Sequence, residues 1–174
     1  MFSFLWLTSP FNMKSASVHQ IKQEIANCGP KQLEDLILRL SKYKKDNKEL
    51  ITYLLFEQGD EAAYLASVKE LLDEEFKSLN TSSYYLMKKT VRKVLRLLKK
   101  YARYSSKVET EINLLFYFCQ RMTEIQPSIF LNGVLNGLYS RQLALAEKKL
   151  LGLHPDLQFD YRDELESLKE NPSS

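Results

Sequence analysis

Apolar residues recur along the chain at intervals of three and four, and the strict alternation of a half-buried strand is almost absent, so the pattern predicts helices throughout. Ser17-x-x-Gln20 has the spacing of a capping box. It opens a first helix that Gly29-Pro30 closes, and Pro30 suits the first position of a second. That second helix gathers Leu33, Leu36, Ile37 and Leu40 on one face, which predicts a core contact. A third runs from about Asn47 through Leu50, Ile51, Leu54 and Leu55 to Gly59. The fourth, from about Asp60, sets Leu65, Val68, Leu71, Leu72 and Phe76 inward and ends in the polar turn SLNTSS. A long fifth helix follows. Ser106-x-x-Glu109 has capping-box spacing again, before the aromatic run INLLFYFC. Pro127 breaks the pattern ahead of a seventh helix that stops near Gly152, and an acidic eighth follows Pro155.

Short polar breaks between consecutive helices favour antiparallel neighbours. The fold class expected is therefore all-α, with about seven or eight mostly antiparallel helices in a bundle or a short α-solenoid. RLSKYKKDNKELITYLLF, from Arg39, can be laid with a gap against LLKKYARYSSKVETEINLLFYF, from Leu97. Both carry a Leu, a Lys-Tyr pair, a polar turn, a Glu and a closing Leu-Leu-Phe. In this general way the chain resembles HEAT- or armadillo-like helical hairpins. The resemblance implies stacked helical units and brings no site residue with it.

The composition, 44% apolar and 27% charged over 174 residues, is that of a globular chain of single-domain size. Residues 14–170 are expected to form one helical domain. Residues 1–13 read as an extension. Their apolar cluster (Phe2, Phe4, Leu5, Trp6, Leu7) lacks a basic leader and is too short for a signal core or a membrane span. Either translation starts at Met13 or the segment is a docked arm. Cys28 and Cys119 lie far apart with no C-x-x-C spacing, which argues against a disulfide scaffold and a zinc site and suits a reduced, cytoplasmic setting.

Charge changes the picture most in the fifth helix. Between Ser82 and Lys107 stand nine cations and no acid: Lys88, Lys89, Arg92, Lys93, Arg96, Lys99, Lys100, Arg103 and Lys107. At about 100° per residue they fall on one side, while Met87, Val91, Val94, Leu98 and Tyr101, joined by Leu95 and Ala102, fall on the other. Like charges at i and i+4 cost an isolated helix a few tenths of a kcal/mol per pair. Something must offset that repulsion.

Three sources of negative charge are open. The first is the chain itself: without these nine, 16 Lys and Arg face 22 acids, a net charge of −6. Those acids cluster in the preceding helix (Glu57, Asp60, Glu61, Glu70, Asp73, Glu74, Glu75) and near the C-terminus (Asp156, Asp160, Asp163, Glu164, Glu166, Glu170). The second is nucleic acid, bound through its backbone without sequence readout, with Tyr85 on the same face. The third is an acidic protein or an anionic membrane surface, the membrane being disfavoured because the opposite face is committed to a core.

Catalytic and metal patterns are missing from the sequence. His19 and His154 have no metal-ligand spacing, and neither a phosphate-binding glycine loop nor a nucleophile elbow occurs. His154, before Pro155, reads as a helix cap. Asp156, Asp160 and Asp163 lack the EF-hand pattern, and Glu109 and Glu111 suit the positive end of a helix dipole. Cys119 reads as a buried small hydrophobe. In FLNGVLNGLYS, Gly133 and Gly137 share a helix face, which suggests a closely approaching helix, a ligand pressed against bare backbone near Asn132, Asn136 and Arg141, or a true turn. The function expected is a noncatalytic interaction or scaffold protein that engages an acidic partner through the basic face, with no cofactor and no metal. The alternative is sequence-independent nucleic-acid binding through the same nine residues.

Overall fold

A computed structural model describes residues 14–170. Residues 1–13, read above as an extension, lie outside them. Among the described residues the chain is all-α, with nine α-helices and no strand. It divides into two compact units, up to Glu49 and from Leu50 onward.

The first unit holds α1 (Val18–Ala26), α2 (Pro30–Tyr43) and the start of α3 (Lys45–Thr52). The Ser17 capping box forms as its spacing predicts: the Gln20 amide donates to Ser17 Oγ at 3.3 Å and the Ser17 amide to Gln20 Oε1 at 2.9 Å. Gly29 caps α2 and Pro30 occupies its first turn. The expected core contact of α2 is not made. No described residue of this unit is buried, and Leu36, Ile37 and Leu40 are each nearly half exposed.

In the second unit, α3 widens into a π-turn over Tyr53–Glu57. Across the wider turn Tyr53 is buried while Leu54 and Leu55 are exposed. Then come α4 (Glu61–Lys77), α5 (Tyr84–Ser105), α6 (Val108–Thr123), a 3₁₀ turn (Ile129–Leu131), α7 (Gly133–Leu150), α8 (Pro155–Asp160) and α9 (Arg162–Glu170). In α4 the buried set is Tyr64, Val68, Leu72 and Phe76, one residue per turn; Leu65 is half-buried and Leu71 faces solvent. Helix α6 is the hub, packed against α4, α5, α7 and α9. Its aromatic run buries Phe116, Phe118 and Cys119 on several faces at once.

Long-range pairs fix the helix directions. The start of α4 meets the end of α5 (Tyr64 Oη donates to the Tyr101 carbonyl at 2.9 Å), and Glu111 early in α6 meets Lys149 late in α7 at 2.8 Å. Both pairs are antiparallel. Ser106 does not cap α6. It takes the left-handed conformation (φ 57°), ends α5 by donating its amide to the Ala102 carbonyl, and leaves Lys107 as the residue before α6. Two helices replace the single acidic one expected after Pro155.

The two Asn-Gly pairs differ in role. Asn132 caps α7 by accepting from the Leu135 amide at 3.3 Å, so Gly133 is simply the first helical residue. No neighbouring helix approaches either glycine: a Cβ at Gly133 would meet nothing within 4 Å among the described residues, and one at Gly137 only the Arg141 guanidinium at 3.8 Å. The expected close helix packing is thus absent there.

Candidate interaction face

Helix α5 begins at Ser83, whose Oγ accepts from the Leu86 amide at 3.4 Å. Its apolar positions Met87, Val91, Val94, Leu98 and Ala102 are buried against the unit's core. Each fully buried side chain of that size contributes about 1.5–3 kcal/mol, against a few tenths lost per like-charge pair on the opposite face. Packing therefore holds the helix despite its charge. Tyr101 and Leu95 are only half-buried, at the two edges of the apolar face.

The nine cations are not treated alike by the fold. Lys93 Nζ lies 2.6 Å from a Glu75 carboxylate oxygen on α4, and Lys107 Nζ lies 3.0 Å from Glu61. Lys100 sits over the Tyr101 ring at 4.7 Å. The other six, Lys88, Lys89, Arg92, Arg96, Lys99 and Arg103, make no ion pair with any described residue. Arg103 Nε donates only to the Lys99 carbonyl of its own helix, at 3.3 Å. Of the acids on or beside α4, Glu61 and Glu75 reach the basic helix. Asp73 instead pairs with Arg121 at 2.9 Å and Glu74 with Lys77 at 3.6 Å.

An open groove of about 750 Å³ runs along this face, lined by Tyr85, Lys88, Lys89, Arg92, Leu95, Arg96 and Lys99. Tyr85 is 74% exposed. Arg103 lies one turn beyond Lys99, so the row from Lys88 to Arg103 extends roughly 22 Å at 1.5 Å per residue. The lining offers ammonium and guanidinium donors, one phenol and one aliphatic edge. Such a set recognises carboxylates or phosphates, with the guanidinium fork suited to bidentate contact.

Glu61 forms a second polar centre that no local pattern announces. Its carboxylate accepts from Thr110 Oγ1 (2.6 Å), Tyr53 Oη (3.0 Å), Ser105 Oγ and Lys107 Nζ. Burial alone would raise the pKa of this acid. The bonds from Ser105, Thr110, Lys107 and Tyr53 outweigh it and hold the carboxyl down to about 2. With every donor spoken for, the centre ties the π-turn, α4 and the α5–α6 turn together rather than presenting a reactive group.

Other candidate residues fall into structural places. His154 Nδ1 accepts from the Asp156 amide at 3.4 Å, as the cap reading requires. Cys119 is buried, and burial pushes its thiol up to about 12. Cys28 and Cys119 are both free thiols. Among the described residues no three His, Cys, Asp or Glu converge as a metal site, and no helix is long and apolar enough to cross a membrane. The chain matches no family model, no curated protein and no solved structure.

Proposed function

We propose that the chain is a noncatalytic interaction protein whose α5 face docks an acidic segment of a partner protein. The observation that carries this reading is the row of six cations left without acids among the described residues, five of which line an open groove. Fixed repulsion along such a row is relieved by a partner that supplies carboxylates. Leu95, at the groove wall, adds an apolar contact that an amphipathic acidic helix would use and a phosphate backbone would not. The groove length suits about four helical turns.

A second reading rests on Tyr85. An exposed phenol between cations is a stacking platform for a base, and the same row would then follow phosphates. Fluorescence anisotropy separates the two readings when three labelled probes are compared across a salt series: an acidic amphipathic peptide, single-stranded RNA and duplex DNA. The natural protein is compared with a variant carrying Arg92→Glu, Arg96→Glu, Lys99→Glu and Arg103→Glu. Peptide binding that weakens with salt and vanishes in the variant supports the protein-partner reading. Binding of nucleic acid alone transfers support to the second, and no binding of any probe at low salt removes both.

A further inference from the structure

The basic row of α5 has an acidic counterpart on the same unit. In α9 the buried Leu165 and Leu168 fix the inner face. At about 100° per residue Asp163, Glu166 and Glu170 fall on the opposite side, and all three are exposed. None of them makes an ion pair with any described residue. The cations of α9 stand on one flank and are engaged elsewhere: Lys169 pairs with Glu147 on α7, and Arg162 lies over the Phe159 ring at 5.5 Å. The outward face of α4 is mixed instead, with Glu74 answered by Lys77 at 3.6 Å. Helix α9 packs on α6 and α7, and α5 on α4 and α6. One chain therefore carries an acidic stripe and a basic row on separate helices, with no ion pair between them among the described residues.

We propose that the acidic segment docked by the α5 face is the α9 stripe of a second copy of the chain, an inference that rests on the docking reading above. Spacing agrees with charge. Asp163, Glu166 and Glu170 stand at i, i+3 and i+7, and α5 repeats that interval in Lys89, Arg92 and Arg96 and again in Arg96, Lys99 and Arg103. At 1.5 Å per residue the nine residues of α9 span about 13 Å, well within the row of roughly 22 Å on α5. A second copy also answers both charged surfaces that the fold leaves open, whereas an unrelated acidic protein answers only one. The contact joins two different patches, so it is heterologous: a copy engaged through α5 still offers its own α9, and association continues past the dimer unless the rotation closes a ring. Exposed ion pairs are individually weak and screened by salt, so the assembly is concentration-dependent and dissolves as ionic strength rises.

Sedimentation equilibrium of the full chain, over a concentration series at low and high salt, tests the pairing. Two variants reverse one surface each. The α5 variant carries Arg92→Glu, Arg96→Glu, Lys99→Glu and Arg103→Glu; the α9 variant carries Glu166→Lys and Glu170→Lys, with Asp163 kept because an acid favours the first turn of its helix. The natural protein should associate at low salt. Each variant alone should raise the dissociation constant at least about tenfold, and an equimolar mixture of the two should associate again, because the reversed surfaces complement each other. Glu166→Gln with Glu170→Gln should weaken association several-fold in the same direction, and circular dichroism should report folded protein throughout. The acidic amphipathic peptide should still bind the α9 variant, whose α5 face is intact. Natural protein that stays monomeric at low salt while the peptide binds overturns the second-copy proposal and leaves the docking reading standing; failure of both removes both. Association indifferent to the α9 changes, or folded variants that do not associate when mixed, also overturns it.

Discussion

The Glu61 carboxylate on the first turn of α4 lies 3.0 Å from the Lys107 ammonium, the last cation of the basic stretch, 46 positions along the chain. Through this pair and the bonds from Tyr53, Ser105 and Thr110, this acid is spent at the end of α5 rather than along its face. The left-handed Ser106 lies between Ser105 and Lys107, both of which contact this carboxylate.

Glu61→Gln should therefore destabilise the second unit by about 1–3 kcal/mol, because an amide cannot accept from all the donors now aimed at the carboxylate. The pH dependence has a definite sign. The folded carboxyl titrates near 2 against an ordinary 4.5, so its contribution is complete above about 4.5 and fades as pH falls toward 2. Urea midpoints of the natural protein and the variant should converge over that window. A gap that stays constant across it would show that the charge of Glu61 is not what stabilises the turn.

Lys93 and Arg96 are near neighbours on α5 with opposite expectations. Lys93→Glu places a carboxylate against Glu75, now 2.6 Å from the ammonium, and should lower stability by up to about 1 kcal/mol. Arg96→Glu opposes no described acid and relieves repulsion with Arg92 and Lys100, so stability should hold or rise by a few tenths of a kcal/mol. Chemical denaturation at low salt reads both, and the reverse ranking would mean that Arg96 is answered by an acid after all.

Gly137→Ala should stabilise α7 by up to about 1 kcal/mol, since the added methyl meets only a guanidinium end at 3.8 Å and the helix interior favours alanine. A thermal shift downward would instead reveal a requirement for bare backbone at that position.

Thiol labelling at mildly alkaline pH should modify Cys28 and spare Cys119 until the chain is denatured, because burial holds the Cys119 thiol at about 12. Equal rates at the two thiols in native protein would contradict the packing of α6.

Much of the second unit is legible in the sequence because its helices are long. In α5 the helical periodicity, sustained over 22 residues, places Met87, Val91, Val94 and Leu98 inward without any knowledge of neighbours. In α2 the same reasoning finds the apolar stripe but predicts burial wrongly: periodicity says which face is apolar, and only tertiary structure says what covers it. Ser106-x-x-Glu109 fits a capping box by spacing, yet Ser106 ends one helix instead of starting the next, a choice made by backbone dihedrals that spacing does not encode. Leu54 and Leu55 continue the spacing of Leu50 and Ile51 yet are exposed, because a π-turn shifts the phase by which an α-helical wheel assigns faces. The candidate face follows the same division. All nine cations are visible in the sequence, while the separation into Lys93 and Lys107, paired with α4, Lys100 over the Tyr101 ring, and six left without an acid among the described residues depends on tertiary packing. The Glu61 centre includes a bond from Thr110, 49 positions along the chain, and has no local signature.

The docking of an acidic segment on α5 is tested most directly by titrating isotope-labelled protein with an unlabelled acidic amphipathic peptide and following backbone amide shifts. The expected result is a contiguous set of shifts from Tyr85 through Arg103, centred on Arg92, Leu95 and Arg96 and suppressed as salt is raised. Shifts centred on another element, or none at low salt with peptide in excess, would contradict it.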